Sequence, residues 1–230
     1  MKRALVIGGS SGYGKGVVDA LAGAGWIVHG LSRSTTPPLD VRNGWYFDGV
    51  AKEYADGLDA LVYSAGIAKG LRVIRDGDGE DWQDVFQTNT LGLLRALRAF
   101  QDKLVPGGIF IHIGSIANNL AYVGGADYCA SKAAASSIMR TFRLEVLARE
   151  IRSCSIEPGL GNTNFQFARF PADAARAKAI NAGLRVIQPE DMGRLVLFVI
   201  ESPPHLNFDE IVVKPLDQAT HGKTIRNITP

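Results

Sequence analysis

The sequence contains few cysteines and no long apolar run. Its 230 residues include two cysteines, Cys129 and Cys154, which are too few for a disulfide framework and typical of reduced cytoplasmic thiols. The longest late apolar run, Leu195–Ile200, is far shorter than the ~20 residues that a membrane helix needs. The apolar stretch that follows Lys2 and Arg3 is too short for the core of a signal peptide. The sequence therefore predicts a soluble cytoplasmic protein.

An excess of charge of one sign is also missing. Lys and Arg number 25 and Asp and Glu number 23, which gives a formal net charge of +2. This balance argues against a protein that binds nucleic acid through the phosphate backbone, because such proteins usually carry a clustered basic excess. The four histidines are scattered without the spacing of metal ligands, so no metal site is expected. With 46% apolar residues, the chain can bury the core of a folded domain.

Short apolar runs alternate with helical patterns along the chain. The predicted strands are Ala4–Ile7, Trp26–Leu31, Asp59–Tyr63, Gly108–Ile113, Ser153–Ile156 and Glu210–Val213. The predicted helices are Gly16–Ala24, Asp81–Leu104, Asp127–Ile151, Pro171–Asn181 and Glu190–Glu201. This alternation predicts an α/β fold with a mainly parallel sheet and helices on both faces. No linker interrupts it, so residues 1–230 are predicted to form a single doubly wound domain with a short polar tail at 215–230.

A glycine-rich turn follows the first predicted strand. Gly8, Gly12 and Gly14 have the spacing GxxxGxG where the first helix begins. Glycine permits the positive φ and the close backbone approach of such a turn, and the helix N-terminus offers free N–H groups to a phosphate. This is the task of the Rossmann fingerprint with another spacing, so a Rossmann-type dinucleotide site is predicted, and a turn without a ligand is the alternative. The candidate pyrophosphate-binding residues are Gly8, Ser10, Ser11, Gly12, Tyr13 and Gly14.

The end of the second strand indicates which dinucleotide is bound. A site for NAD usually carries an acid there, hydrogen-bonded to the ribose hydroxyls. Here the segment contains Ser32 and Arg33 and no carboxylate. The planar guanidinium of Arg33 suits the 2′-phosphate of NADP(H). The sequence therefore predicts NADP(H) as the cofactor, and a solvated surface arginine is the alternative.

Tyr128 and Lys132 lie four residues apart in a predicted helix. This spacing places the phenol and the ammonium on one helix face. A phenol with a pKa near ~10 exchanges protons poorly at neutral pH, and a nearby cation lowers that pKa. The pair is thus a candidate for general acid and base catalysis. The spacing alone also arises by chance in many helices.

Further residues in register with this pair make the sequence resemble the short-chain dehydrogenase/reductase family. Ser115 follows the predicted strand that ends at Ile113, and Asn89 lies in the helix before it. The resemblance spans nearly the whole chain in matching order and intervals. The residues that carry it are Gly8, Gly12, Gly14, Asp40, Val41, Ala65, Gly66, Asn89, Ser115, Tyr128, Lys132, Pro158, Gly159 and Thr163.

The resemblance implies a role for each of these residues. Tyr128 would be the general acid for carbonyl reduction and the base for alcohol oxidation, and Lys132 would lower its pKa and hold the nicotinamide ribose. Ser115 would hydrogen-bond the substrate oxygen, and Asn89 would hold a water that leads from Lys132 to solvent. The remaining cofactor contacts would come from Asp40 at the adenine, from Val41 beside it, from Ala65 and Gly66 along the cofactor, and from Pro158, Gly159 and Thr163 around the nicotinamide.

Some segments depart from the family pattern. Tyr63 and Ser64 precede Ala65-Gly66, where the family has two asparagines, so we expect altered packing beside the sheet. The stretch from Arg33 to Asp59 is short, which predicts a trimmed or irregular helix there. Residues of about 160–187 correspond to the family's mobile substrate loop. Their basic side chains, Arg169, Arg176, Lys178 and Arg185, fit a solvated helix face better than a site for an anionic substrate.

Taken together, these residues predict an oxidoreductase that transfers a hydride between NADP(H) and a ketone, an aldehyde or the corresponding alcohol. The alternatives are a dinucleotide-binding regulator without catalysis and a lyase on the same fold. The expected partners are a small carbonyl or alcohol substrate and further copies of the chain in a homodimer or homotetramer. Neither nucleic acid nor a membrane is expected as a partner.

Overall fold

A parallel sheet forms the centre of the computed structural model, which describes residues 1–55 and 57–226. Within these residues six strands pair in the order β2-β1-β3-β4-β5-β6, and every pair is parallel. The strands are β1 Arg3–Ile7, β2 Ile27–Leu31, β3 Leu58–Tyr63, β4 Leu104–Ile113, β5 Arg152–Pro158 and β6 Glu210–Val213. The order reverses at β1, because the chain goes outward to β2 and then crosses to β3 on the other side. Ligands of open α/β sheets bind in the crevice at such a reversal.

Eight α-helices accompany the sheet in the same described residues. They are α1 Gly12–Gly23, α2 Gly44–Lys52, α3 Gly79–Phe86, α4 Gly92–Phe100, α5 Ala126–Glu145, α6 Phe165–Arg169, α7 Ala174–Asn181 and α8 Pro189–Glu201. A π-helical turn, Gln87–Leu91, joins α3 to α4. Short 3-10 turns occupy Ile74–Asp76, Gln101–Lys103, Ile116–Asn118 and Leu147–Arg149.

Both faces of the sheet are buried, because alternate residues of each strand point to opposite sides. On one side Leu5 and Phe110 pack with apolar residues of α2, α4 and α5. On the other side Val6 and Ile111 pack with residues of α1 and α8. The near-continuous apolar strands that the sequence shows are therefore strands covered on both faces. The predicted doubly wound α/β fold is confirmed.

Four predicted helices have wrong boundaries, for local reasons. The segment Gly16–Ala24 starts earlier, at Gly12, because the end of the glycine turn already belongs to α1. The segment Asp81–Leu104 is interrupted by the π-helical turn, and Leu104 already begins β4. The segment Asp127–Ile151 ends early, because Glu150 takes a left-handed φ of 56° after a 3-10 turn. The segment Pro171–Asn181 starts later, at Ala174, since proline interrupts a helix and Asp173 caps the N-terminus of α7.

The segment between β2 and β3 differs from the expectation of a trimmed or irregular helix. The region after Arg33 contains α2, a regular nine-residue helix whose N-cap Asn43 accepts a hydrogen bond from Trp45 N at 3.1 Å. Among the described residues β2 is an edge of the sheet, so the outermost strand of the usual six-stranded order 3-2-1-4-5-6 has no counterpart here.

The polar tail predicted at 215–230 is ordered in its described part. The Gln218 Oε1 atom accepts a hydrogen bond from Leu160 N at 2.7 Å, and the side chain is buried. Arg226 donates to the carbonyl of Ala182 at 2.6 Å and so binds the C-terminal end of α7. The last four residues, 227–230, lie outside the described residues. Hydrogen bonds to distant backbone, which a polar composition does not reveal, hold this tail in place.

Candidate active site

A cavity of about 890 Å³ lies at the carboxyl ends of the central strands, where the strand order reverses. Most residues predicted to bind cofactor or substrate line it: Gly8, Ser10, Ser11, Gly12, Tyr13, Ser32, Arg33, Asp40, Val41, Ala65, Gly66, Ser115, Tyr128, Lys132, Pro158, Gly159 and Thr163. Gly14 and Asn89 are not among the described residues that line the cavity. The fold thus gathers residues that are distant in sequence around one space.

The glycine turn has the geometry of a phosphate cradle. Gly8 has a φ of 87°, and a Cβ there would lie 2.7 Å from Ala65 N. A Cβ at Gly14 would lie 2.1 Å from the Gly8 carbonyl oxygen, so Gly14 shapes the turn from behind instead of lining the cavity. The Ser11 side chain does not cap α1, and the first turn carries no acidic residue. The N–H groups at the positive end of α1 are therefore open to an anion.

Arg33 and Arg42 both reach the adenosine end of the predicted site but differ in their partners. Arg42 donates to Asp40 at 2.8 Å and to Asp84 at 3.4 Å, and this pairing lowers the pKa of Asp40. Arg33 is exposed at the cavity rim, and no carboxylate of the described residues lies within 4.0 Å of its guanidinium. Arg33 is thus free to bind a phosphate.

Tyr128 lies in the first turn of α5 with 7% of its surface exposed. The side chain of Ser115 lies beside it, and both residues line the cavity. Burial raises the pKa of Tyr128 well above its usual value, although the Ser115 side chain and the charge of Arg169 oppose this shift. Burial outweighs the charge of Arg169 here, and the lowering of this pKa by Lys132 stays a prediction.

Lys132 lies one turn further along α5 and is buried. Its Nζ donates a hydrogen bond to the Ile113 carbonyl at 3.2 Å and lies 5.9 Å from the centroid of the Tyr128 ring. Burial lowers the pKa of Lys132 to about 8, and the charge of Glu157 opposes this shift. The site therefore contains a cation whose protonation changes close to neutral pH.

Glu157, which the sequence analysis missed, is a fully buried carboxylate beneath this cluster. Its Oε2 accepts a hydrogen bond from Ser115 N at 2.5 Å, and its Oε1 accepts one from Ser136 Oγ at 3.1 Å. Burial raises the pKa of Glu157. A Cβ at Gly114 would lie 2.1 Å from Oε2, so Gly114 leaves the space that this carboxylate occupies. A glutamate that directly follows the predicted strand Ser153–Ile156, next to Pro158 and Gly159, was the signal in the sequence.

Asn89 lies in the π-helical turn, a feature that is frequent at functional sites. Its Nδ2 donates to the Ile67 carbonyl at 2.9 Å and to Ser131 Oγ at 3.0 Å, and its Oδ1 accepts from Ile67 N at 2.8 Å. These bonds attach the chain after Gly66 to α5. In the structure, Asn89 thus holds neighbouring backbone in place behind the cavity wall.

Tyr63 replaces an asparagine of the family pattern and fills the space beside the sheet. Its Oη donates to the Thr88 carbonyl at 2.6 Å, and the ring is fully buried. This hydrogen bond ties β3 to the π-helical turn, and the altered packing relative to the family stays a prediction.

The predicted substrate loop and the tail close the far side of the cavity. Phe165 packs on Tyr128 with ring centroids 5.4 Å apart, Phe170 is buried, and Phe167 is exposed. Arg169 is buried and lines the cavity, against the expectation that it belongs to a solvated face. The tail contributes further lining residues that the sequence analysis did not name: Gln218, His221 and Gly222.

Two negative findings concern the described residues. None of the helices in residues 1–55 and 57–226 is long and apolar enough to cross a membrane. The same residues contain no group of three His, Cys, Asp or Glu side chains placed to hold a metal ion.

Comparisons with known proteins agree with this architecture. The family model of the short chain dehydrogenases matches residues 45–174. An uncharacterized oxidoreductase of Mycobacterium tuberculosis is 36% identical over 236 residues, which cover 96% of this chain and 93% of the relative. A probable NADP-dependent dehydrogenase of Haemophilus influenzae is 30% identical over 243 residues, with 96% of each chain covered.

A solved structure with a similar fold is the closed form of a serine dehydrogenase complexed with NADP+. It superposes with a TM-score of 0.91 at 27% identity and covers 98% of this chain and 99% of the other. The family model matches more than half of the chain, and relatives of 30% identity or more cover nearly all of it. This chain therefore belongs to the short-chain dehydrogenase family.

Proposed function

We propose that this chain is an oxidoreductase that transfers a hydride between NADP(H) and a ketone or aldehyde, with Tyr128 as the general acid. The observation that carries this proposal is the buried Tyr128, which lines the cavity together with Ser115 and has Lys132 Nζ 5.9 Å from the centroid of its ring. A proton donor and a hydrogen-bond donor at one point of the cavity suit the oxygen of a carbonyl group.

The cofactor is NADP(H), and the cavity has features that fit it. The cradle of Gly8 and Gly12, at the N-terminus of α1, suits the pyrophosphate. The unpaired guanidinium of Arg33, with the hydroxyls of Ser32 and Ser34 beside it, suits the 2′-phosphate. When bound, the nicotinamide supplies the hydride for the reduction. We infer that Ala65, Gly66, Pro158, Gly159 and Thr163 follow the cofactor towards Tyr128.

The raised pKa of Tyr128 keeps the phenol protonated at neutral pH, as the general acid of a carbonyl reduction must be. At neutral pH the phenol keeps its proton and can give it to an alkoxide, which is a much stronger base. Ser115 donates a hydrogen bond to the same oxygen while negative charge grows on it. Lys132 stabilises the phenolate that remains and binds the ribose. We infer that Asn89 acts through position, because its amide holds the chain between Gly66 and α5.

A regulator that binds NADP(H) without catalysis would not need this proton-transfer group. Such a regulator would also not need a buried Lys132. Burial of an ammonium lowers the stability of the fold, so its presence here suggests that it serves a function. A lyase on this fold is disfavoured by the open glycine cradle. The arrangement therefore supports an oxidoreductase above both alternatives.

The test is the substitution Tyr128→Phe, which removes the proton donor and keeps the ring. A panel of ketones, aldehydes and alcohols, followed by the absorbance of NADPH, first identifies a substrate. On that substrate we expect kcat to fall by about 10²–10⁴-fold with NADPH binding retained. The matched control is Tyr46→Phe, since Tyr46 is exposed. A Tyr128→Phe protein with unchanged turnover would mean that Tyr128 is not the general acid.

A further inference from the structure

Arg169 is a buried cation in the wall of the substrate cavity. It ends α6, and 7% of its surface is exposed. Its Nε donates to the Gly70 carbonyl at 2.7 Å, and its Nη2 donates to Tyr122 Oη at 2.8 Å. The other basic residues of the same segment, Arg176, Lys178 and Arg185, are exposed. Arg169 therefore differs from its neighbours in being placed inside the site.

The charge of Arg169 has no counter-ion in the described part of the chain. No carboxylate oxygen of residues 1–55 and 57–226 lies within 4.0 Å of its guanidinium, whereas exposed Arg185 pairs with Asp217 at 2.5 Å. Both hydrogen-bond acceptors of Arg169 are neutral oxygens, and they use two of its five N–H groups. Buried charges in proteins are normally paired, so a buried guanidinium with unused donors indicates an anionic ligand.

The position of Arg169 relative to Tyr128 identifies this ligand as part of the substrate. Its Cζ lies 5.9 Å from the centroid of the Tyr128 ring and 5.4 Å from that of Tyr122. A short molecule whose carbonyl oxygen meets Tyr128 can therefore place a second group against the guanidinium. Arg33, which suits the cofactor's 2′-phosphate, lies on the segment after β2 and not on the substrate loop.

His221 adds a polar group beside Arg169. Its ring lies 4.4 Å from that of Tyr122, it lines the same cavity, and its Nε2 is buried without a hydrogen-bond partner in the described residues. Burial and the charge of Arg169 lower the pKa of His221, so the imidazole is neutral at pH 7. A neutral imidazole can donate a hydrogen bond to an anion without adding charge.

We propose that Arg169, with His221 and Tyr122 beside it, binds the carboxylate or sulfonate of a short carbonyl substrate whose reacting carbonyl lies against Tyr128. The proposal rests on the proposed function, and it names the class of substrate: small acids that carry a ketone or aldehyde. The exposed cations of the segment play no part in this recognition.

The experiment compares acetoacetate with methyl acetoacetate, which carry the same ketone and differ in charge. In the unmodified protein, kcat/KM with NADPH should be higher for the acid than for the ester. Arg169→Gln keeps an N–H for the Gly70 carbonyl and removes the charge. It should lower the acid-to-ester ratio of kcat/KM by about 10–100-fold, the size of a charge-assisted hydrogen bond. Arg169→Lys should retain part of the ratio, and the exposed control Arg176→Gln should retain all of it.

A second readout does not depend on turnover. Titration calorimetry measures the binding of acetoacetate and of its ester to the protein with NADP+, which has no hydride to transfer. Tighter binding of the acid, lost in Arg169→Gln, supports the subsite even where neither compound is reduced, and that pair of results would count against the proposed function alone. Equal binding of acid and ester to the unmodified protein overturns the subsite, whether or not the variants fold. An unchanged acid-to-ester ratio in Arg169→Gln likewise overturns it and leaves Arg169 as a clamp between Gly70 and Tyr122.

Discussion

Replacing Lys132 with methionine should make the ligand-free protein more stable while it removes catalysis. Lys132 is 3% exposed, and no carboxylate of the described residues lies within 4.0 Å of its Nζ. Burial lowers its pKa from 10.5 to about 8. Since each pKa unit corresponds to about 1.4 kcal/mol, the charged form is destabilised by about 3 kcal/mol relative to water.

Methionine has a similar length and no charge, so the Lys132→Met substitution removes this unfavourable energy. The gain is smaller than the full amount, because the Ile113 carbonyl loses a hydrogen bond and Glu157 loses a nearby cation. We expect the free energy of unfolding near pH 7 to rise by about 1–3 kcal/mol. The assay is urea unfolding followed by tryptophan fluorescence, without cofactor and at one protein concentration.

The pH dependence of this difference gives a sharper test. Below pH 8 Lys132 binds its proton in both the native and the unfolded state, so its destabilising effect is constant. Between pH 8 and 10.5 the native state has lost the proton and the unfolded state still binds it, so the unmodified protein gains stability with rising pH. The advantage of Lys132→Met should therefore shrink across this range.

The control for this series is Lys178→Met, which changes an exposed lysine of α7 and should alter stability by less than about 0.5 kcal/mol at either pH. A Lys132→Met protein that is less stable than the unmodified one at pH 7 would refute the reasoning. A stability difference that stays the same up to about pH 10 would refute it as well.

Two further predictions concern the cofactor and the substrate loop. In titration calorimetry, Arg33→Ala should weaken NADPH binding by about 1–3 kcal/mol and leave NADH binding unchanged, because it removes a charge-assisted hydrogen bond to the 2′-phosphate. Equal affinities of the unmodified protein for NADPH and NADH would contradict the assignment of Arg33. Hydrogen exchange across residues 164–185 should slow on addition of NADPH and substrate, and it should slow by more than in α5. The reason is that we expect the loop to close over the site and exclude water. Equal protection of both segments would argue against closure.

The strands and the catalytic cluster could be predicted from the sequence, since both depend on local pattern and on spacing along the chain. Short, largely apolar runs located each of the six described strands with boundaries at most four residues from the observed ones. The spacing of Tyr128 and Lys132, with Ser115 and Asn89 in register, pointed to residues that the fold brings together around one cavity or directly behind its wall.

Features that depend on tertiary contacts could not be predicted. Arg169 is buried because α6 packs over Tyr128, whereas its sequence neighbourhood is that of a solvated basic helix. The tail is ordered because Gln218 binds the backbone of Leu160, 58 residues earlier in the chain. The pKa of Tyr128 rises because of burial, which a motif of two residues does not reveal. In each case a polar side chain has its decisive partner far away in sequence.

The contact between Gly114 and Glu157 has a consequence for how this sequence can change during evolution. The carboxylate occupies the volume that a side chain at 114 would need, so the two positions form a single steric unit across neighbouring strands. A side chain at 114 would have to displace the Glu157 carboxylate and break its hydrogen bonds with Ser115 N and Ser136 Oγ, which a small residue at 157 would avoid. Aligned relatives should therefore show glycine at 114 wherever 157 is glutamate, and larger residues at 114 only where 157 is small. Such coupling between positions 114 and 157 would make this pair of residues useful for dividing the family into related subgroups.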